Sequence, residues 1–342
     1  MTQLEAAADA LGVEMPAADC FLCRRPLTAW LTLPGDWRKP RSVRPWHLLW
    51  CDSCSFGAVA PRPSPEELAA AYAVDDYYTH HAPQAVAAVR SLADRLRVKL
   101  AWYADLGVEA ELAPWSLARH GVRAPASLCD VGCGNGGTLR TMAAAGFQVV
   151  GIEPDGDACR TANAAGLHVV EGSAENWPAA LSDRTFDVVT MMHVLEHTMD
   201  PVAAVARIAD ALRPGGTFFV ETPNNACRGL REAGIAWRWL DAPRHLNFFT
   251  PASLQAVCTQ AGLEIAAVEY TGYARQFQHD WLSDEQEIHR RLKQLAAGAP
   301  HIKSTPLRPR NSAWRAMSLL RQTWNVAPAE KYDSVRVIAR KR

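Results

Sequence analysis

Short apolar runs alternate with longer amphipathic stretches through the middle of the chain. The runs Ser127–Val131, Phe147–Ile152, Leu167–Val170, Phe186–Met192, Thr217–Glu221 and Leu263–Tyr270 predict strands. Helical stretches fill the gaps at about Gly137–Ala145, Asp155–Ala165, Pro201–Leu212 and Pro251–Ala261. Strands alternating with helices imply parallel pairing, right-handed crossovers and a doubly wound α/β sheet. A last strand, about Ser334–Ala339, lies far along the chain.

Upstream, Val86, Val89, Leu92, Leu96, Leu100 and Tyr103 recur at three- and four-residue steps. They predict one face of a helix that packs on the catalytic domain or lids its cleft. Ser64-Pro65-Glu66-Glu67 reads as a helix start, with a capping Ser, Pro at the first position and a carboxylate three residues on. Two further helices are expected near Glu285–Ala297 and Asn311–Trp324, inside an insert before the last strand.

Charge changes the picture only locally. The 342 residues carry 36 basic and 36 acidic side chains, so the whole chain is not drawn to nucleic acid or membrane by net charge. From Gln286 onward, 13 Lys and Arg face 3 Asp and Glu. A solvated face with an exposed tail explains such a run; so does a basic wall for an acidic substrate or a nucleic acid. No apolar segment approaches the roughly 20 residues a membrane helix needs. The N-terminal stretch lacks the basic start and apolar run of a secretion signal, so a cytoplasmic location is expected.

The segment Asp130-Val131-Gly132-Cys133-Gly134-Asn135-Gly136-Gly137 joins the first strand of the alternating region to a helix. Glycines there let backbone approach a ligand, and free N–H groups at the helix start attract negative charge. Glu153 ends the next strand about 20 residues on, the distance expected of a carboxylate that bonds a ribose. In that order, strand, glycines, helix, strand and acid indicate a nucleotide-type cofactor.

Four motifs together resemble the class I S-adenosylmethionine (SAM)-dependent methyltransferases. They are Asp130–Gly136, Gly151-Ile152-Glu153-Pro154, Phe186–Val189 followed by His193-Val194-Leu195-Glu196-His197, and Leu212-Arg213-Pro214-Gly215-Gly216. The resemblance spans about residues 125–271. It implies a Rossmann-like seven-stranded sheet with an antiparallel last strand. It also implies that Asp130 and the backbone of Gly132, Cys133, Gly134, Asn135 and Gly136 hold the methionine end of SAM. Glu153, beside Pro154, would bind the ribose hydroxyls. Ser173, Ala174 and Glu175 lie where relatives contact adenine, although many relatives carry Asp at the position of Ser173. His193 would line the cofactor pocket.

Cys20-x-x-Cys23 and Cys51-x-x-Cys54 stand 27 residues apart. Two such knuckles can place four thiolates around a structural Zn²⁺, and a closed four-thiolate shell leaves no position for substrate. His47 is an alternative ligand; four buried thiols without metal are the plain alternative. The knuckles, with Pro61–Leu68 and Tyr77-Tyr78, resemble the N-terminal module of a methyltransferase subgroup that includes sugar and natural-product tailoring enzymes. The organisation expected is a zinc module over 15–63, a helical linker or lid over 64–121, and a methyltransferase domain over 122–342 with a cap insert at about 272–331.

His193–His197 also reads H-x-x-E-H, an inverted zinc-protease signature. That chemistry needs the motif on a helix; here it ends a strand, and Pro201 opens the next helix. Groups for methyl transfer should follow the fourth and fifth strands of the sheet. They are Glu196-His197 and the stretch holding Asn224, Asn225, Trp237, Trp239, Asp241, Arg244 and His245. Pro243-Arg244-His245-Leu246 resembles a family element near the acceptor, which makes His245 the first candidate for a general base and His197 the second. Tyr77, Tyr78, His80 and His81 are further candidates for the cleft wall or for a domain junction.

The expected function is methyl transfer from SAM to a small-molecule acceptor, with O-methylation ahead of C- or N-methylation and an anionic acceptor favoured by the basic insert. An RNA-modifying methyltransferase and a non-catalytic SAM-binding protein are the rivals; neutral net charge and the absence of an RNA-binding motif weigh against nucleic acid.

Overall fold

A computed structural model of the chain describes residues 16–39, 44–73, 92–299, 303–305, 307 and 312–342. Two sheets organise them. The first is antiparallel, with β1 (Thr28–Leu33), β2 (Trp46–Cys51), β3 (Phe56–Ala60) and, from far along the chain, β9 (Asn247–Phe248) in that order.

The second sheet has seven strands. Its five-stranded parallel part comprises β4 (Ser127–Val131), β5 (Gln148–Glu153), β6 (Val169–Glu171), β7 (Phe186–Met192) and β8 (Leu212–Pro223). The remaining strands are β10 (Leu263–Thr271) and β11 (Ser334–Lys341). The order is β10-β11-β8-β7-β4-β5-β6, with β11 antiparallel to both neighbours. The doubly wound α/β architecture with an antiparallel last strand is therefore as expected. Buried apolar runs explain it: Leu128, Cys129, Val131, Val188, Val189, Phe218 and Phe219 are all covered, as strands with helices on both faces must be.

Strand order reverses between β4 and β7, and the carboxyl ends there form the crevice where such sheets bind ligands. The apolar core beneath is continuous with the first sheet. Leu49, Phe56 and Ala58 belong to one buried cluster with Val131, Leu195, Phe249 and Val337.

Two expectations change. The upstream helix runs Leu92–Ala104, but Leu96 and Tyr103 are 59% and 73% exposed. Of the expected face, Leu100 does pack inward, beside Ala104 and the fully buried Ala101, against the cluster of Tyr273 and Phe277. Val86 and Val89 lie outside the described residues, as do Tyr77, Tyr78, His80 and His81. The helix expected at Glu285–Ala297 begins earlier and spans His279–Gly298. Ser64 does cap the helix Pro65–Tyr72: its hydroxyl accepts from Glu67 N while Glu67 Oε2 accepts from Ser64 N. No helix among the described residues is long and apolar enough to cross a membrane.

Candidate functional site

The glycine loop leaves β4 at Val131 and enters the helix Gly137–Ala144 through Gly136. Gly132 has φ +74°, and a Cβ there would sit 2.3 Å from Val194 Cγ2. Gly136 has φ +79°, and its Cβ would meet Leu167 Cδ1 at 2.3 Å. Both positions demand glycine twice over, for conformation and for space. No side chain caps the helix at Gly136, so its leading N–H groups remain available to a ligand.

Two buried carboxylates flank the loop. Asp130 accepts from Thr190 Oγ1 at 2.6 Å, and burial pushes its carboxyl up to about 7. Glu153 Oε2 accepts from Gly134 N at 2.8 Å, and Oε1 from Asp155 N at 3.0 Å. Burial also raises Glu153. Cys133 is buried among Leu139 and Cys159, and Asn135 offers its carbonyl to Arg140 Nη1 at 2.9 Å. Glycines, helix start and Glu153 thus form one cradle, with open backbone N–H groups beside a buried carboxylate.

The residues expected at adenine are largely occupied by their own chain. Ser173 Oγ accepts from Glu175 N and Asn176 N. The Glu175 carboxylate accepts from Met199 N and Asp200 N, ahead of the helix Pro201–Ala211. Ala174 is buried.

His193 follows β7 in a left-handed conformation, φ +56°, which is uncommon for a residue with a Cβ. Its Nε2 lies 3.2 Å from Glu221 Oε1, and Nδ1 lies 3.4 Å from Glu196 Oε1. Its ring stacks on Trp239 at 5.2 Å and 24°. Burial alone would lower His193, but the two carboxylates raise it to about 9. Glu221, held also by Arg336 and Thr271 Oγ1, comes down to about 2 despite its own burial.

Residues 195–197 form a single 3-10 turn rather than a helix, so the H-x-x-E-H residues do not present the face a zinc protease requires. A different group meets there: ligand-type atoms of Glu196, His197 and His245 lie within 4.8 Å of one another. The two imidazoles meet edge to face at 4.6 Å. His245 Nδ1 lies 2.8 Å from the Trp239 carbonyl, and His197 Nδ1 3.0 Å from the Arg244 carbonyl. A carbonyl only accepts, so each Nδ1 carries the proton and each Nε2 keeps its lone pair. Tyr72 Oη also touches His197 Nδ1, at 2.9 Å. Burial pushes both histidines down to about 4, so both are neutral at pH 7.

β9 explains why these histidines face each other. Val59 N donates to Leu246 O, and Leu246 N donates to Glu196 O at 2.7 Å. Arg62 donates to Leu246 O and Asn247 Oδ1, both at 2.6 Å. Asn247 Nδ2 donates to Thr198 O and Leu195 O. The first sheet thereby holds the His245 segment against the His197 turn.

Other expected acceptor residues turn out to be internal. Asn224 Nδ2 donates to Ala329 O and Tyr332 O, and Asn225 Nδ2 to Phe249 O. Trp237 is a core side chain. Arg244 and Asp241 form a buried ion pair with Asp36. Of the two expected tryptophans, Trp239 remains partly open, between His193 and His245. Sequence reasoning missed Tyr72, Arg62 and Asn247, whose roles depend on pairing across 49 to 185 residues of chain.

At the N-terminus, sulfur atoms of Cys20, Cys23, Cys51 and Cys54 lie within 4.8 Å of one another. Cys23 and Cys51 approach to 3.6 Å. Each knuckle is followed by a left-handed residue, Arg24 (φ 60°) and Ser55 (φ 51°), so the two turns share one conformation. His47 bonds Thr32 Oγ1 instead of joining the cluster.

Comparison with known proteins places the family. A methyltransferase domain family matches residues 108–268. A ubiquinone biosynthesis O-methyltransferase of Aromatoleum aromaticum is 37% identical over 152 residues, covering 40% of this chain and 63% of that protein. The Thiobacillus denitrificans protein of the same name is 35% identical over 172 residues, covering 45% and 72%. Among solved structures, an S-adenosylmethionine-dependent methyltransferase from Mesorhizobium loti is 16% identical with a TM-score of 0.42, covering 67% of this chain and 98% of that one. By the domain match and these relatives, the chain belongs to the SAM-dependent methyltransferase family.

Proposed function

We propose that the protein transfers the methyl group of SAM to a hydroxyl of a small-molecule acceptor, with His245 taking the proton and His197 as its alternate. The observation that carries this reading is the neutral imidazole pair with free Nε2 atoms, at the carboxyl edge of the sheet beside the glycine cradle. Bound SAM supplies an activated methyl; the chain must orient the acceptor oxygen in line with it and remove its proton. His193, clamped by Glu196 and Glu221 and stacked on Trp239, fixes the wall between cofactor and acceptor. Transfer of isotope from methyl-labelled SAM into a metabolite extract, with the product identified by mass spectrometry, tests the reaction. No labelled product in any extract would refute it.

Under the same reading Asp130 and the Gly132–Gly136 backbone hold the methionine end, and Glu153 the ribose. Glu153→Ala is expected to weaken SAM binding by about 1.5–3 kcal/mol, the worth of a charged hydrogen bond. The change also frees Gly134 N, so the loop loses its own anchor. Calorimetry with unchanged affinity would refute the assignment.

The four N-terminal thiolates are proposed to hold a structural zinc. Sulfurs about 2.3 Å from zinc stand about 3.8 Å apart; Cys23 and Cys51 are 3.6 Å apart, and all four sulfurs lie within 4.8 Å of one another. Purified protein should carry one zinc per chain, and Cys20→Ser with Cys51→Ser should lose it. Because Cys20 and Cys51 share a core cluster with Phe249 and Leu254, the melting temperature of the whole chain should fall as well. Zinc that persists at full stoichiometry in that variant would move the metal to Glu196, His197 and His245. On the four-thiolate reading, residues 15–63 act as the zinc module, 64–121 as linker or lid, and 272–331 as a cap over the acceptor.

A further inference from the structure

A cleft of about 580 Å³ opens beside Trp239, between the segment at Arg275 and the start of the helix His279–Gly298. Its volume suits a small ligand. Trp239 and Trp281 meet edge to face at 5.6 Å, and the guanidinium groups of Arg238 and Arg275 each lie over both indoles, 5.4–5.9 Å from the ring centres. Arg275 is pinned from behind by Asp333 and Ser334. Arg238 is held from the rim by Asp284 at 2.9 Å, whose side chain is about half exposed. No side chain caps the twenty-residue helix at Gln278, and its first turn lines the cleft, adding the positive end of its dipole. Asp280 and Asp284 are the opposing charges, both at the rim.

The cleft is continuous with the proposed transfer site through one side chain. Trp239 stacks on His193, and its carbonyl fixes His245. We propose that this cleft anchors the acceptor by a carboxylate or phosphate group, seated between Arg238, the open face of Arg275 and the leading turn of the helix His279–Gly298. The anion displaces Asp284 from Arg238, so Arg238 contributes attraction and Asp284 competition. Bidentate capture by a preformed guanidinium favours these planar or tetrahedral oxyanions over a neutral polar group. The proposal rests on the reading of the protein as a small-molecule methyltransferase.

Calorimetry on the full chain at low salt, with saturating S-adenosylhomocysteine, tests it with three probes: pyrophosphate, 3,4-dihydroxybenzoate and uncharged catechol. At least one anion should bind about tenfold or more tightly than catechol, and which anion does so separates phosphate from carboxylate. Arg238→Gln should weaken that anion about tenfold, while Asp284→Asn should strengthen it, each with S-adenosylhomocysteine affinity unchanged. Anions that bind no better than catechol, or variants that both behave like wild type, would overturn the subsite. If S-adenosylhomocysteine itself does not bind, the methyltransferase reading fails, and the anion titrations without it still decide the cleft.

Discussion

Arg244→Ala should cost about 3–5 kcal/mol of folding stability, the toll of removing one partner from a buried ion pair. Arg244 is fully buried, and its guanidinium makes five donations: two to Asp36, two to Asp241 and one to the Ala71 carbonyl. The alanine variant leaves two carboxylates in the interior, with only Arg38 still reaching Asp241. It also unties three distant parts of the chain, at residues 36, 71 and 241. Lysine cannot reproduce the forked contacts, so Arg244→Lys should recover only part of the loss.

The pH dependence follows from the charges. Burial alone would raise Asp241, but Arg244 and Arg38 hold it far below the usual carboxylate range. A depressed carboxylate contributes stability above its unfolded value, about 3.9, and loses it as pH falls. The deficit of the variant should therefore be full at pH 7 and shrink below about pH 4. Urea unfolding of both proteins at the two pH values measures it; a loss under about 1 kcal/mol at pH 7 would refute the network's weight.

What the sequence revealed, and what it hid, divides along range. The parallel strands were legible because each is a short apolar run between turn signals, and the observed ends differ from expectation by one or two residues at most strands. The cradle was legible because glycines and Glu153 act within one βαβ unit. β1 and β2 were not seen as strands, since TAWLTL and WHLLWC lie in a stretch crowded with Cys, Trp and Arg. β9 is two residues long and exists only by pairing with β3. The helix Leu92–Ala104 was seen, yet only part of its face was read correctly: Leu100 packs inward, while Leu96 and Tyr103 are exposed and the small Ala101 is the fully buried contact. Arg244 and Asp241 read as acceptor residues in sequence; burial and the distant Asp36 make them struts.

The strut bears directly on the neighbouring histidine, and His245→Ala should lower kcat by about 10²–10⁴-fold, the range for a general base. SAM affinity should stay as it is, because His245 belongs to the β9 side of the cleft and touches Trp239 and His197 rather than the glycine loop. His197→Ala should cost less, since the Tyr72 and Arg244 contacts mark His197 as support for the pair. In the wild type, burial at about 4 keeps His245 unprotonated well below the ordinary value of 6.5. The rate should therefore hold steady from about pH 8 to about pH 6 and fall only as pH approaches that lowered value. A structural role alone would cost activity without moving this acid limb; loss of the limb together with kcat in His245→Ala identifies the base. A His245→Ala enzyme with full kcat would transfer that role to His197, whose Nε2 is the other free lone pair in the site.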